Sequence, residues 1–299
     1  MIRIIIIQTQ IMKKLIKRAS IAVFFKISLF YLLLYSPYAC FTEVGNPEPE
    51  YSVSGTAIKG PVSSGIVTIY SLQTDGSLGA EIDSAITDEN GDFSFNYNED
   101  YKNPVAVILT GGAFKDEATW NQVSFDVGEN LRTYLPSLSE GQSISITALT
   151  EIAVSCALKK VQSGFTVNNA LNHAYNDTAE KFGLSNITMI PENPFNGNLD
   201  SNRQSTRYAL IQAGFSEYAR LNGAHDAISV TKALSEDNED CDFDGLNNGA
   251  AISFEGTGVS LSSDAYSNGI RNAINSYLSS GNNTTGVTSY TESGNGSGY

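Results

Sequence analysis

The chain has 299 residues, 41% of them hydrophobic and 10% aromatic, enough apolar material for cores in two domains and too much for a disordered chain. Its 18 Lys and Arg stand against 32 Asp and Glu, and six of the basic residues precede Cys40, so the part from Cys40 onward has 12 against 32, a net charge of −20. Such a surface repels phosphate backbones, which argues against nucleic acid as a partner.

Residues 1–39 read as an export signal, with Met12 as an alternative start. Lys13, Lys14, Lys17 and Arg18 form a basic run, and an apolar stretch follows over 19–35, interrupted by Lys26. The apolar part at 27–35 is too short for a hydrocarbon core of about 30 Å, and Lys26 would be costly inside it, so a permanent span is disfavoured. The stretch ends in Ser36-Pro37-Tyr38-Ala39-Cys40. Ala39-Cys40 resembles the lipobox of bacterial lipoproteins, although Pro37 and Tyr38 depart from its usual Leu and small residue. The resemblance implies that Cys40 receives a diacylglyceryl group and tethers an exported protein to the outer membrane, on the periplasmic side or at the cell surface. Residues 40–50, with Pro47, Pro49 and three glutamates after Cys40, then form an extended tether. With Cys40 lipidated, Cys156 and Cys241 remain. Bridged, they close a loop of about 85 residues, worth roughly 4 kcal/mol; unbridged, Cys156 is a small buried helix residue and Cys241 a loop thiol.

Alternating segments at 53–59, 65–70 and 82–87, a turn at 88–91 and a fourth segment at 92–96 predict strands with one buried and one wet face. Lys59-Gly60-Pro61, Thr74-Asp75-Gly76-Ser77 and Asp88-Glu89-Asn90-Gly91 supply the turns. The Gly-containing first strand, the second strand ending in Tyr70 and the closing Thr87-Asp88-Glu89-Asn90-Gly91-Asp92-Phe93-Ser94-Phe95 resemble the carboxypeptidase regulatory-like, transthyretin-like superfamily. An Asp usual in that family before the second strand is missing from 59–65. The resemblance covers about 45 residues and implies a prealbumin-like antiparallel β-sandwich with a structural or binding role and no catalytic residues.

The apolar run 104–110 predicts a strand buried on both faces, with further strands at 122–126 and 131–136. The segment Gly111-Gly112-Ala113-Phe114-Lys115-Asp116-Glu117-Ala118-Thr119, with the later 147–151, is similar to poorly characterised bacterial surface lipoproteins that join such a sandwich to a helical region. Asp116 and Glu117 read either as cation or sugar contacts or, more simply, as a solvated turn.

After residue 146 the apolar period changes from 2 to about 3.6. Thr147 is an N-cap and Gly164 a stop, and the intervening helix has two apolar stripes, as expected of one lying between layers. Further helices are predicted at 167–182, 204–222, from Asp226 to about Leu234, and over 263–279; Gly214 in the third permits close packing. His173, Asp177 and Glu180 share a helix face, read as a solvated polar surface in preference to an imidazole–carboxylate site. The acidic loop 235–249 places Asp240, Asp242, Asp244 and Asn248 at the first, third, fifth and ninth places of a calcium loop, with Gly245 at the sixth; Ala251 stands where the bidentate Glu belongs. Residues 281–299, rich in Gly, Ser, Asn and Thr, read as a disordered tail.

The expectation is an α+β multidomain chain: antiparallel β-sandwich over 51–146, helical domain over 147–280. Nucleophile-elbow, zinc-protease, P-loop and Cys-x-x-Cys signatures are missing, so no enzyme activity and no cofactor beyond calcium is expected. The functional expectation is an exported, lipid-anchored envelope protein with a structural or binding role toward a protein or glycan partner. The alternative is a carbohydrate-binding or carbohydrate-active protein using Trp120, Tyr101 or Tyr134.

Overall fold

Ser52, Ser54 and Thr56 alternate with Val53, Gly55 and Ala57 to make the first strand, β1 (Tyr51–Ile58), in a computed structural model that describes residues 51–97 and 101–290. The expected leader, the lipidation at Cys40, the tether and residues 291–299 of the expected tail lie outside the described residues. The strands that follow are β2 (Ile66–Leu72), β3 (Leu78–Ile86), β4 (Asp92–Tyr97), β5 (Val105–Thr110), β6 (Ala113–Lys115), β7 (Gln122–Ser124), β8 (Asn130–Leu135) and β9 (Ser143–Thr147). The helices are α1 (Ala148–Gln162), α2 (Val167–Lys181), α3 (Gln204–Asn222), α4 (Ala227–Asp237) and α5 (Ile270–Leu278), with a two-residue hairpin, β10 (Leu246–Asn247) and β11 (Ala250–Ala251), between α4 and α5. The N-terminal half therefore carries the main β-sheets and the C-terminal half the five helices.

A three-stranded sheet has the order β4-β1-β9 and a four-stranded sheet the order β3-β2-β5-β8. Val53, Phe93, Phe95 and Ile144 of the first share one apolar cluster with Val67, Ile69, Val107 and Leu109 of the second. The expectation of antiparallel pairing throughout is corrected: β9 runs parallel to β1, with Ser54 opposite Ser143 and Ile58 opposite Thr147. The chain leaves β8 at the edge of one sheet and crosses to the other before pairing, and such a long-range partner leaves no mark on local alternation.

The run in β5 is buried on both faces, as its continuous apolarity requires. Val105, Val107 and Leu109 join the inter-sheet cluster, while Ala106 on the other face packs with Tyr134, Val154, Ala157 and Leu171, so that α1 and α2 cover this sheet. Helix α1 has the two-sided character read from its sequence: Leu149, Ile152 and Ala153 face α3, α4 and α5, and Val154, Cys156 and Ala157 face the sheet. It starts at a capping box in which the Thr147 hydroxyl accepts from the Thr150 N–H and the Thr150 hydroxyl oxygen accepts from the Thr147 N–H.

The helices also close an edge. Strand β8 ends its sheet, and its outward N–H and C=O groups need partners. The Arg132 N–H donates to Glu151 Oε2 at 2.8 Å. The Tyr134 N–H donates to the Tyr175 hydroxyl at 2.8 Å, which in turn donates to the Tyr134 carbonyl at 3.1 Å. Burial pushes the Tyr175 phenol up to about 12, which keeps that donor protonated. Arg132 and Glu151 complete the seam as an ion pair at 2.5 Å.

Over residues 281–290 the expected disordered tail is corrected. Val287 is buried, Asn283 Nδ2 donates to the Leu278 and Val287 carbonyls, and the Leu199 N–H donates to the Thr285 carbonyl. The polar side chains that suggested disorder serve here as partners for loop backbone.

Candidate functional site

One set of reactive side chains among the described residues is internal. Lys59 lies at the turn after β1, Glu117 in the turn after β6, and Gln212 and Ser216 one helical turn apart on α3. Lys59 and Glu117 are both 0% exposed and form an ion pair at 2.8 Å. Lys59 Nζ also donates to the Gln212 carbonyl at 3.0 Å and to Ser216 Oγ at 2.9 Å, and the Ser216 hydroxyl donates to Glu117 Oε2 at 2.5 Å. The Phe114 ring lies 5.5 Å from the ammonium. Glu117 Oε1 and the side-chain amide Nε2 and Oε1 of Gln212 have no hydrogen-bond partner among the described residues, so the cluster has the polar surplus that buried water commonly satisfies. A serine, a lysine and a carboxylate in contact suggest nucleophilic chemistry, yet all are sealed from solvent. Their arrangement fixes the sheets to α3.

The reading of Asp116 and Glu117 as a solvated turn, or as exposed ligand contacts, is thereby corrected: both are buried. Asp116 Oδ1 accepts from the Ala118 and Thr119 N–H groups and from the Thr119 hydroxyl, closing the turn. The sequence signal was the Asp-x-Ala-Thr turn chemistry; the partners of Glu117 on α3 lie about 100 residues away and have no local signature.

The three aromatics proposed as ligand contacts do not converge. Tyr134 is buried against α1 and α2. Tyr101 is half-buried in a bridge to Leu138. Trp120 is 43% exposed, but Lys115 Nζ sits 3.9 Å from its ring centroid, Phe195 packs edge-on against it, and its indole N–H donates to the Asn282 carbonyl at 3.2 Å. Trp120 has φ +62°, an unfavourable backbone for a bulky residue, held by these contacts.

The acidic loop does not assemble a calcium cage. Asp240 accepts from the Asp242 and Asn248 N–H groups, Asp242 from Phe243 and Asp244 from Leu246. Among the described residues no group of three acidic, His or Cys side chains is placed to hold a metal ion. Without an acidic residue at position 251 the carboxylates serve as turn caps. Asp237 beneath them is buried and accepts from the Gly245 N–H at 2.8 Å. Burial first, then the charges of Asp244 and Asp240, push its carboxyl up to about 6 against the lowering effect of the Gly245 N–H bond.

Cys156 of α1 and Cys241 of this loop are bonded, with Cα atoms 4.9 Å apart. His173 stacks edge-on against Phe165, and Asp177 faces Lys160 at 3.8 Å, so the α2 face makes no imidazole–carboxylate pair. His225, exposed beside Asp226, is raised above the ordinary imidazole range by its 3.0 Å bond to that carboxylate.

Among the described residues, one open feature is a groove of about 460 Å³ on the outer face of the β4-β1-β9 sheet. Its floor includes Ser54, Thr56 and Ser94, with Ser143, Asp88 and Asp92 beside them and Ile190 from the loop before α3. No motif marked it, because its hydroxyls occupy the positions that alternation assigns to solvent.

No family model matches the chain, and no curated protein matches it. Among solved structures, the crystal structure of a DUF3823 family protein from Parabacteroides merdae ATCC 43184 is similar over 33% of this chain and 45% of that one, at 11% identity and a TM-score of 0.20. This chain thus spans less than half of that protein's length, and the likeness carries no argument about function.

Proposed function

We propose that this is an exported envelope protein, anchored by a lipid on Cys40, in which a β-sandwich of the carboxypeptidase regulatory-like type and the helices packed on it form a non-catalytic body for binding. The observation that carries the reading is the bonded pair Cys156–Cys241. Structural disulfides persist in oxidising compartments, and pairing these two leaves Cys40 as the odd cysteine, next to the small residue that a lipobox needs. The Lys59, Glu117 and Ser216 set, whose residue types could serve nucleophilic chemistry, is in this reading a sealed structural contact.

The test is metabolic labelling with palmitate in cells expressing the wild type or Cys40→Ala. Label in the wild type, lost in the variant along with membrane fractionation, is the expected result. An unlabelled wild type contradicts the anchor.

A further inference from the structure

We propose that the groove on the outer face of the three-stranded sheet is a binding site for a neutral saccharide. The inference gives a ligand class to the binding role proposed above and rests on that reading being one of binding.

The register aligns the hydroxyls. Ser54 in β1 lies opposite Ser94 in β4 and Ser143 in β9, making one row across all three strands. Two residues further on, Thr56 lies opposite Asp92 and Ser145, making a second row on the same face. Neighbours within a row are therefore about 4.8 Å apart and the rows about 6.7 Å apart. A flat outer sheet face is ordinarily a mixture of long charged and β-branched side chains; this one is a lattice of short hydrogen-bonding groups.

Two observations separate it from a merely solvated face. First, it is concave: the Asp88 turn and Ile190 wall it in, and its volume of about 460 Å³ falls in the range of small-molecule sites. Second, its polar groups are left over. Asp92 Oδ1 accepts from the Thr56 hydroxyl at 2.6 Å and Asp88 Oδ1 from the Asn90 and Asp92 N–H groups, which among the described residues leaves the second oxygen of each carboxylate open.

The occupant these groups fit is rich in hydroxyls, each of which both donates and accepts. Carboxylate oxygens accept from adjacent sugar hydroxyls, the serines donate to or accept from others, and Ile190 offers an apolar wall to the C–H face of a ring. Asp88 and Asp92, in a chain of net charge −20 beyond the leader, repel anionic sugars and phosphate esters, so the ligand is neutral. A metal ion is disfavoured because each of the two carboxylates already spends an oxygen on its own turn or strand.

The experiment uses the full chain and a panel of glucose, mannose, galactose, xylose and N-acetylglucosamine with their disaccharides, read by saturation-transfer NMR and titration calorimetry. At least one sugar should bind, and Asp92→Asn and Ser54→Val/Ser94→Val should each weaken it at least about tenfold while the melting temperature holds. Ser143→Val serves in place of the double variant if that one fails to fold. Silence across the panel overturns the proposal, as does binding that survives the groove variants or is abolished by Trp120→Ala alone. Calcium binding in the groove, with no sugar binding, overturns it too. None of these outcomes bears on Cys40 labelling, so failure here is distinct from failure of the anchor.

Discussion

Lys59 is the residue on which the joint between sheets and helices turns. Its charge is balanced by Glu117 with both side chains at 0% exposure, so removing one partner leaves an uncompensated buried charge. Lys59→Met should destabilise by about 3–5 kcal/mol in urea unfolding, and Lys59→Met/Glu117→Leu by clearly less than Lys59→Met alone, because the second change removes the stranded carboxylate. Asp237 gives a pH signature at the same scale. Its carboxyl titrates near 6 in the fold and near the ordinary 3.8 when unfolded, so the folded state holds the proton more tightly. The stability this confers is fully present below about pH 4 and is lost as pH rises through about 6. Asp237→Asn should flatten that part of the melting-temperature profile. Of these two residues the sequence disclosed little: Lys59 reads as a turn lysine, and a burial-driven shift has no motif.

At the scale of elements, Gly214 and Tyr175 carry the sharpest expectations. A Cβ at position 214 would meet Ile274 Cγ1 at 2.5 Å, so Gly214→Val should push α3 off α5 and cost about 1–3 kcal/mol. Tyr175→Phe removes the group that closes the β8 edge at Tyr134 and should cost about 1–3 kcal/mol, with faster amide exchange at Tyr134. The helices were legible because their signals are local: Thr147 caps α1, Asp226 caps α4, Gly223 ends α3 in a left-handed conformation, and α1 shows both its stripes. Strands β1, β2 and β4 were legible from alternation and β5 from its continuous apolar run for the same reason, whereas the short β6 and the first residues of β3 were not. The parallel seat of β9 beside β1 was not, since it depends on a partner about 90 residues away. The candidate site was less legible still. Trp120, Tyr101 and Tyr134 are the conspicuous residues, whereas Ser54, Ser94 and Ser143 form a row only once register is known.

At the scale of the whole molecule the covalent features decide most. The Cys156–Cys241 bond ties α1 to the acidic loop across 85 positions, and replacing both cysteines by serine should lower stability by about 2–5 kcal/mol. The central claim is that the mature protein begins at a lipidated Cys40 and carries this one bond. Intact mass and a non-reducing peptide map of the full chain recovered from its native membrane test it most directly. The account predicts an N-terminal peptide starting at Cys40 with a diacylglyceryl mass increment, and a Cys156–Cys241 linked peptide; an unmodified N-terminus elsewhere, or free thiols at both positions, would contradict it.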